Sequence, residues 1–287
     1  MFPEPEYELF SLIPPIKRAR GYYLYDYRGR RYIDMFLNNG RALFGHRPSG
    51  VAGELKNTLA KGILANYPSI YPKRLEKALR PLFPGHPVFR VYRSPEKAAA
   101  TAAAALGTAE LSIADPAAIP DEASGETPDV AADKTASKPI RAALWRPFLE
   151  EAAVSVSVPV LFPVIPFPGD FGPVIVCFKK EFEDHLPPSD PVSPVLLASL
   201  VRCIYTGITC RETMDSHNWP RCDSVYFRQK GPYVHPRCGR EEYTLLFRRA
   251  LEAGVLIAPS HRGVSILPGE YSQGDWKLIS RSVLGRM

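Results

Sequence analysis

Apolar and polar side chains alternate through two neighbouring runs near the N-terminus. Tyr22 to Tyr27 has a period of two residues, and Arg31 to Phe36 forms a second run rich in β-formers. This period predicts two strands. Arg28-Gly29 lies between them, and glycine reaches the positive φ that a tight hairpin turn requires. Residues 21–48 therefore predict a β-hairpin followed by a loop that Asn38-Asn39-Gly40 and Gly45-His46 keep irregular.

Helical spacing follows this hairpin. Val51, Leu55, Leu59 and Ile63 recur every four residues, so a helix is expected over residues 49–65 with Ser49 as its cap. Similar patterns predict helices over residues 73–83, 94–106, 193–208 and 241–253, and a last helix that opens at residues 272–275. Ser94 is expected to cap the start of the helix over residues 94–106, and Gly254 the end of the helix over residues 241–253. Short β-forming runs predict strands over residues 88–92, 141–148, 172–178 and 224–228. This mixture of strands and helices predicts an α/β protein.

Two segments lack these periodic patterns. Residues 1–20 form an entry segment in which Pro14-Pro15 breaks regular structure and residues 17–20 are a solvated basic turn. Residues 108–139 are rich in Ala, Pro, Asp, Glu, Ser and Thr and contain no aromatic residue. Such a composition cannot bury much apolar surface, so a flexible acidic linker is expected there.

Charge and cysteine content narrow the classes of partner. The net charge of +6 is modest and the arginines are scattered along the sequence, so nucleic acid is not the expected partner. No apolar run approaches the ~18 residues of a membrane span, and the N-terminus lacks the pattern of a signal peptide, so a cytoplasmic protein is expected. The five cysteines include no CxxC pair, which argues against a zinc ribbon and a disulfide framework, and no metal site is predicted.

The hairpin and its loop carry a recognisable pattern, G-x-x-L-x-D-x-x-G-x-x-Y-I-D followed by G-x-x-x-x-G-H. It resembles the N-terminal signature of class III pyridoxal-phosphate (PLP) aminotransferases, nearest the glutamate-1-semialdehyde aminomutase branch. The alternative is an ordinary hairpin with a polar turn. The matching residues are Gly21, Leu24, Asp26, Gly29, Tyr32, Ile33, Asp34, Gly40, Gly45 and His46.

A second match lies near the C-terminus, in the order that the same family would have. It resembles the family's small domain and comprises Phe247, Leu251, Gly254, Val255, Pro259, Ser260, Ser272 and Asp275. The resemblance implies a PLP-dependent transferase fold of type I, with a reduced large domain and a small α+β domain built from both termini. Residues 1–72 would supply the N-terminal part of the small domain and a dimer loop, residues 73–223 the large domain, and residues 224–287 the rest of the small domain.

The resemblance also implies a cofactor site. In the family, a glycine-serine turn at a helix N-terminus grips the PLP phosphate through backbone N–H groups, and here Ser94 occupies that position. Asn39, Gly40 and His46 would complete a pocket at the domain junction. A PLP enzyme needs one lysine, and Lys179 and Lys180 are the candidates because they follow a predicted strand.

Three departures from the family predict that this site is degraded. Pro95 offers no N–H group at the phosphate turn, and Glu96 brings a carboxylate to it. No aspartate has the family's context, since Asp170 lies in a turn. No lysine precedes a glycine-rich turn either. PLP binding is therefore implied by the resemblance but expected to be lost.

Three functions remain open. The first is a degenerate homologue without transaminase activity, retained as a dimeric binding or structural protein with room for a small-molecule ligand. The alternative is an active PLP-dependent aminotransferase or aminomutase that acts on a small amino or keto acid through a displaced lysine. The third is a different enzyme on the same scaffold that uses His46, His235 and Cys238. A homodimer without membrane attachment is expected, because active sites of the family form across a dimer.

Overall fold

The structure is a computed structural model that describes residues 8–63, 67–118, 141–149, 157–167, 172–214 and 219–284. In these ranges the strands are β1 (Ile16–Arg20), β2 (Tyr23–Asp26), β3 (Arg31–Asp34), β4 (Val88–Tyr92), β5 (Ile113–Ala114), β6 (Ala142–Trp145), β7 (Val160–Pro163), β8 (Val174–Phe178), β9 (Phe227–Lys230), β10 (Tyr233–Pro236), β11 (Val255–Leu256) and β12 (Ser265–Ile266). The α-helices are α1 (Val51–Ala60), α2 (Tyr71–Leu79), α3 (Pro95–Ala105), α4 (Pro194–Met214), α5 (Arg240–Ala253) and α6 (Gln273–Ser282).

The chain divides into two units, each with its own core. Among the described residues, the central unit comprises residues 47–116 and 141–214, and the terminal unit comprises residues 8–46, 117–118 and 219–284. The sequence predicts a domain boundary after residue 72, whereas the chain passes from the terminal unit to the central unit between residues 46 and 47. Helices α1 and α2 both pack against α4, which holds residues 51–79 in the central unit.

A mixed sheet with the strand order β4-β8-β7-β6-β5 forms the middle of the central unit. Strands β5, β6 and β7 are parallel, whereas β8 is antiparallel to both of its neighbours, β7 and β4. Leu75, Leu161 and Leu197 belong to the cluster that packs α2 and α4 on one face. Val160 and Ala102 belong to the cluster that packs α3 on the other face. The α/β prediction is confirmed by this arrangement of helices on both faces of a sheet.

The terminal unit joins the two ends of the chain in one sheet. Its strand order is β1-β2-β3-β11, and β11 from the C-terminal part pairs parallel with β3 from the N-terminal part. A second sheet has the order β12-β10-β9. Helix α5 buries Tyr243 and Phe247 in the shared core and ends at Gly254, which has φ 93°. The predicted glycine cap of this helix is confirmed.

Three expectations about local structure were wrong, and strand β7 was not predicted. Residues 17–20 form strand β1 rather than a turn, because they pair with β2. Helix α1 is capped by Gly50, at φ 77°, rather than by Ser49, and it ends at Ala60. Strand β5 lies inside the expected linker at residues 108–139, because it pairs with β6; residues 119–139 lie outside the described residues. Strand β7 follows no alternation, since both faces of the sheet bury it.

A capping box begins α6 at residues 272–275, where the sequence predicts that the last helix opens. The Ser272 hydroxyl accepts a hydrogen bond from the Asp275 N–H at 3.1 Å, and Asp275 Oδ2 accepts from the Ser272 N–H at 3.0 Å. Asp275 also accepts from the Tyr23 hydroxyl at 2.8 Å and pairs with Arg31 at 3.0 Å. Burial alone would raise the pKa of Asp275, but these hydrogen bonds and the Arg31 charge outweigh it and lower the pKa.

A lowered pKa in the folded state makes the stability of the terminal unit depend on pH. The stabilisation by Asp275 is fully present above the unfolded-state pKa of about 3.9 and is lost as the pH falls through the lower, folded-state value. We expect Asp275→Asn to have a lower free energy of unfolding than the unchanged protein at pH 7. This gap in free energy between the two proteins should become smaller below about pH 4. Urea denaturation at pH 7, 4 and 3 measures this gap, and a gap that stays constant would contradict the assignment.

Candidate functional site

The carboxyl ends of the parallel strands define one edge of the central sheet. Asp115 follows β5 and Arg146 follows β6, so both lie at this edge. Strand β4 runs in the same direction as β7, since both are antiparallel to β8, and Ser94 therefore lies beyond the same edge. Open α/β sheets bind ligands outside the carboxyl ends of their strands. This carboxyl edge is the candidate functional site of the central unit.

A buried ion pair occupies the carboxyl edge. The side chain of Arg146 is 1% exposed, and it donates from Nε to Asp115 Oδ1 at 2.7 Å and from Nη2 to Asp115 Oδ2 at 2.6 Å. This bidentate contact fixes both groups in a geometry that a lysine side chain could not reproduce. Sequence reasoning missed this pair. The available signal was a charged residue directly after the buried strand β6, but its partner lies 31 positions away.

Ser94 acts as the N-cap of α3, as the sequence predicts. Its hydroxyl accepts a hydrogen bond from the Lys97 N–H at 3.2 Å. Pro95 follows at the first helical position and has no N–H to donate. The pKa of Glu96 is lowered by its own backbone N–H and by the Ser94 side chain, so a carboxylate rather than an anion-binding pocket occupies this helix start. Lys97 forms an ion pair with Asp190.

The capping role of Ser94 predicts a specific pair of mutant phenotypes. Ser94→Ala is expected to lower the free energy of unfolding by about 1 kcal/mol, because the Lys97 N–H loses its acceptor. Ser94→Asp is the matched control and should keep nearly full stability, since aspartate caps helices as well as serine does. Chemical denaturation measures both variants. Equal losses in the two variants would contradict the capping role.

The candidate catalytic lysines lie at the other edge of the same sheet. Lys179 follows the last residue of β8, and the Phe178 end of β8 pairs with Val160, where β7 begins. Its Nζ donates to the Ser157 carbonyl at 3.3 Å. Lys180 is 74% exposed and pairs with Glu183. The five residues of β8 separate this edge from the carboxyl edge by about 17 Å, so the structure does not bring the lysines next to Ser94.

The remaining predicted site residues lie in a loop of the terminal unit. Leu37, Asn38 and Asn39 have φ values of 46°, 47° and 55°, and Gly40 has 95°. A run of left-handed residues is costly for side chains other than glycine, so it needs support from its surroundings. Asp34 supplies that support, because its Oδ1 accepts hydrogen bonds from the N–H groups of Phe36 at 2.9 Å and Leu37 at 3.0 Å.

His46 closes this loop onto its base. Its Nε2 lies 2.7 Å from Asp34 Oδ2, and its backbone N–H donates to the Gly21 carbonyl at 2.9 Å. An ionised carboxylate only accepts hydrogen bonds, so Nε2 carries the proton in this contact. Gly45 has φ 85°, and a Cβ atom there would lie 3.2 Å from the Gly21 oxygen. Asn39, Gly40 and His46 thus belong to one loop of the terminal unit, whereas Ser94, Lys179 and Lys180 belong to the central unit.

The sequence offers an alternative catalytic set of His46, His235 and Cys238. The surroundings of His235 and Cys238 do not support a catalytic role for them. His235 Nδ1 lies 2.8 Å from the Pro236 carbonyl. Burial and the Glu242 carboxylate raise the pKa of the Cys238 thiol to about 11, so the reactive thiolate is scarce at neutral pH. Within the described ranges, no group of three or more His, Cys, Asp or Glu side chains could hold a metal ion. No helix in those ranges is long and apolar enough to cross a membrane.

The residues at the carboxyl edge do not fit PLP. Pro95 withholds an N–H group from the phosphate position, and Glu96 places a negative charge beside it. Asp115 is already bound through both oxygens by Arg146. Lys179 and Lys180 lie at the opposite edge. Asp170, the remaining aspartate considered from the sequence, lies outside the described residues.

Sequence comparisons find relatives that match either most of the chain or one part of it. An uncharacterized protein of Treponema pallidum (strain Nichols) is 28% identical over 289 residues, which cover 91% of each chain. A glutamate-1-semialdehyde 2,1-aminomutase of Limosilactobacillus reuteri is 30% identical over 87 residues, which cover 30% of this chain and only 20% of the enzyme. No protein-family model matches the chain.

Solved structures extend the likeness over nearly the whole chain. The Plasmodium falciparum ornithine delta-aminotransferase superposes with a TM-score of 0.67 at 15% identity, and the alignment covers 95% of this chain and 92% of that one. The chain therefore has the PLP-dependent transferase fold of type I found in class III aminotransferases, which confirms the expected fold and resemblance. An identity this low concerns the fold, whereas the chemistry depends on the site.

Proposed function

We propose that this chain is a homologue of class III aminotransferases that lacks transaminase activity and serves as a homodimeric binding or structural protein. The observation that carries the proposal is the position of the candidate lysines. Lys179 and Lys180 follow the far end of β8, about 17 Å along the sheet from the helix start at Ser94. A cofactor held at that helix start would lie beyond the reach of either amine.

The chemistry of the carboxyl edge supports the same proposal. A phosphate site at a helix N-terminus depends on backbone N–H groups and on the positive end of the helix. Pro95 removes one of those donors, and the Glu96 carboxylate already occupies this positive end. Both residues instead stabilise the beginning of α3, as proline and acidic residues do at the first turn of many helices.

An amino-transfer assay tests the loss of activity. Purified protein is incubated with PLP, 2-oxoglutarate and a panel of amino donors that includes ornithine, and glutamate formation is followed. We expect no glutamate above the level given by PLP alone. The single variants Lys179→Ala and Lys180→Ala should give the same level as the unchanged protein. Glutamate formation that disappears in either lysine variant would contradict the proposal and establish a displaced catalytic lysine.

The homodimer is a separate part of the proposal, and it rests on the resemblance to a family whose active sites form across a dimer. Light scattering at micromolar concentration tests it directly. We expect a mass near twice the 31.9 kDa of one chain. The mass of a single chain at that concentration would overturn the dimer, while the assay of amino transfer would still decide the question of activity.

A further inference from the structure

One face of the N-terminal sheet brings together arginines from strands β1 and β3. Residues 16–31 contain six basic residues and one acidic residue, hence a net charge of +5, whereas the whole chain carries +6. Because residues 17–20 form strand β1 rather than a turn, three of these basic side chains belong to the same sheet as β2 and β3. Strand register therefore creates a basic surface that the spacing along the sequence does not reveal.

The register places arginine and tyrosine in rows across the strands. Arg18 of β1 lies opposite Tyr25 of β2, and Tyr25 lies opposite Arg31 of β3. In the next row, Arg20 lies opposite Tyr23, and Tyr23 lies opposite the buried Ile33 of β3. Directly paired residues point to the same side of a sheet, so the three arginines and the two tyrosines share one face. We call this set (Arg18, Arg20, Tyr23, Tyr25 and Arg31) the Arg–Tyr face.

Stacking holds two of the three guanidinium groups of the Arg–Tyr face in place. The Arg18 guanidinium lies 4.3 Å from the centre of the Tyr25 ring, and that of Arg31 lies 4.7 Å from the Tyr23 ring. Arg18, Arg20 and Arg31 are nevertheless exposed, and the Arg31 side chain keeps 51% of its surface although it pairs with Asp275. Preorganised, exposed guanidinium groups match the oxygens of phosphate, since they offer several donors in one plane.

Two further features extend this surface at the hairpin turn. Tyr27 continues the alternation of β2 just past its end and is 72% exposed. Arg28 is exposed in the same turn. An exposed aromatic ring beside a line of arginines is the combination on which single-stranded nucleic acids stack their bases while their phosphates are neutralised.

We propose that the Arg–Tyr face, with Tyr27, binds a single-stranded polynucleotide. The arginines contact the phosphodiester backbone, and Tyr27 stacks on a base. This partner is favoured over an acidic protein segment because five of the six basic residues in the stretch are arginines and the exposed tyrosine offers a stacking surface. The proposal is independent of whether the chain has lost transaminase activity.

Fluorescence anisotropy with the full chain tests this binding. Labelled oligouridylate and oligothymidylate of about 12 nucleotides are titrated between about 50 and 200 mM salt. We expect binding that weakens with salt. The double variant Arg18→Ala/Arg20→Ala should bind at least 10-fold more weakly. The slope of the logarithm of the binding constant against the logarithm of the salt concentration should become shallower by about 1.4, that is, by about 0.7 for each lost phosphate contact. Tyr27→Ala should weaken binding about five-fold and leave the slope unchanged.

A matched variant separates this surface from net charge alone. Arg248→Ala/Arg281→Ala removes two exposed arginines from helices α5 and α6 of the same unit, and it should leave the affinity within two-fold of the unchanged protein. If oligouridylate binds more tightly than oligothymidylate, the face also contacts the 2′-hydroxyl group of RNA. If the two bind equally, the arginines recognise only the phosphodiester backbone that both share.

Four results would overturn the proposal. They are the absence of binding at low salt, equal losses in the two double variants, stronger binding of a duplex, and equally effective competition by polyglutamate. The last result would assign the Arg–Tyr face to an acidic protein segment instead.

Discussion

Asp115→Ala is expected to lower the free energy of unfolding by about 3 kcal/mol, because it removes the carboxylate that binds both Nε and Nη2 of the buried Arg146. A guanidinium that is 1% exposed cannot regain full hydration when this partner is lost. Trp145 precedes Arg146 and belongs to the core of the central unit, so tryptophan fluorescence during urea denaturation can follow the change.

Two variants give this prediction its controls. Glu183→Ala breaks the exposed ion pair with Lys180 and should change stability by less than about 0.5 kcal/mol. Asp115→Ala/Arg146→Met removes both charges and should recover most of the loss, since an apolar pair can replace a buried ion pair without a large penalty. A single Asp115→Ala variant that is no less stable than Glu183→Ala would contradict the structural role of the pair.

Asp34→Ala is expected to lower the free energy of unfolding by about 2–3 kcal/mol. The carboxylate accepts hydrogen bonds from two backbone N–H groups at the start of the left-handed run, and its side chain is 2% exposed. Buried N–H groups that lose their acceptor cost about 1–3 kcal/mol each in such settings, and the water that enters recovers part of this. Urea denaturation measures the loss.

The matched variant for Asp34 is Asp34→Asn. The amide oxygen can still accept from Phe36 and Leu37, so only the contact with His46 is weakened, and a loss of about 1 kcal/mol is expected. His46→Ala should likewise lower the free energy of unfolding by less than Asp34→Ala does. If Asp34→Asn is as unstable as Asp34→Ala, the hydrogen bonds to the backbone are not what holds the loop.

Local patterns predicted those elements whose signals lie within a few residues. The cap at Ser94, the glycine that ends α5 and the start of the last helix at residues 272–275 all depend on neighbours in sequence, and the structure contains each of them. The order of the two family-like segments also predicted the fold. These features follow from backbone chemistry that acts over one helical turn.

Features that depend on distant pairing were missed. Strand β1 carries a sequence typical of a solvated turn, and only its pairing with β2 makes it a strand. Strand β5 has two residues and gains its hydrogen bonds from β6. The position of Lys179 was equally hidden, because the antiparallel direction of β8 decides which edge of the sheet the lysine reaches. Tertiary pairing overrides local preference most easily in short strands.

The loss of cofactor chemistry is tested most directly by incubating the protein with PLP, recording its visible absorption, reducing it with borohydride and mapping the peptides by mass spectrometry. A class III aminotransferase treated in parallel provides the positive control. We expect no protein-dependent absorption band and no lysine peptide modified above the background of exposed lysines, with Lys179 and Lys180 no different from Lys56. A visible band together with stoichiometric modification of one lysine would contradict this expectation and identify the residue that carries the cofactor.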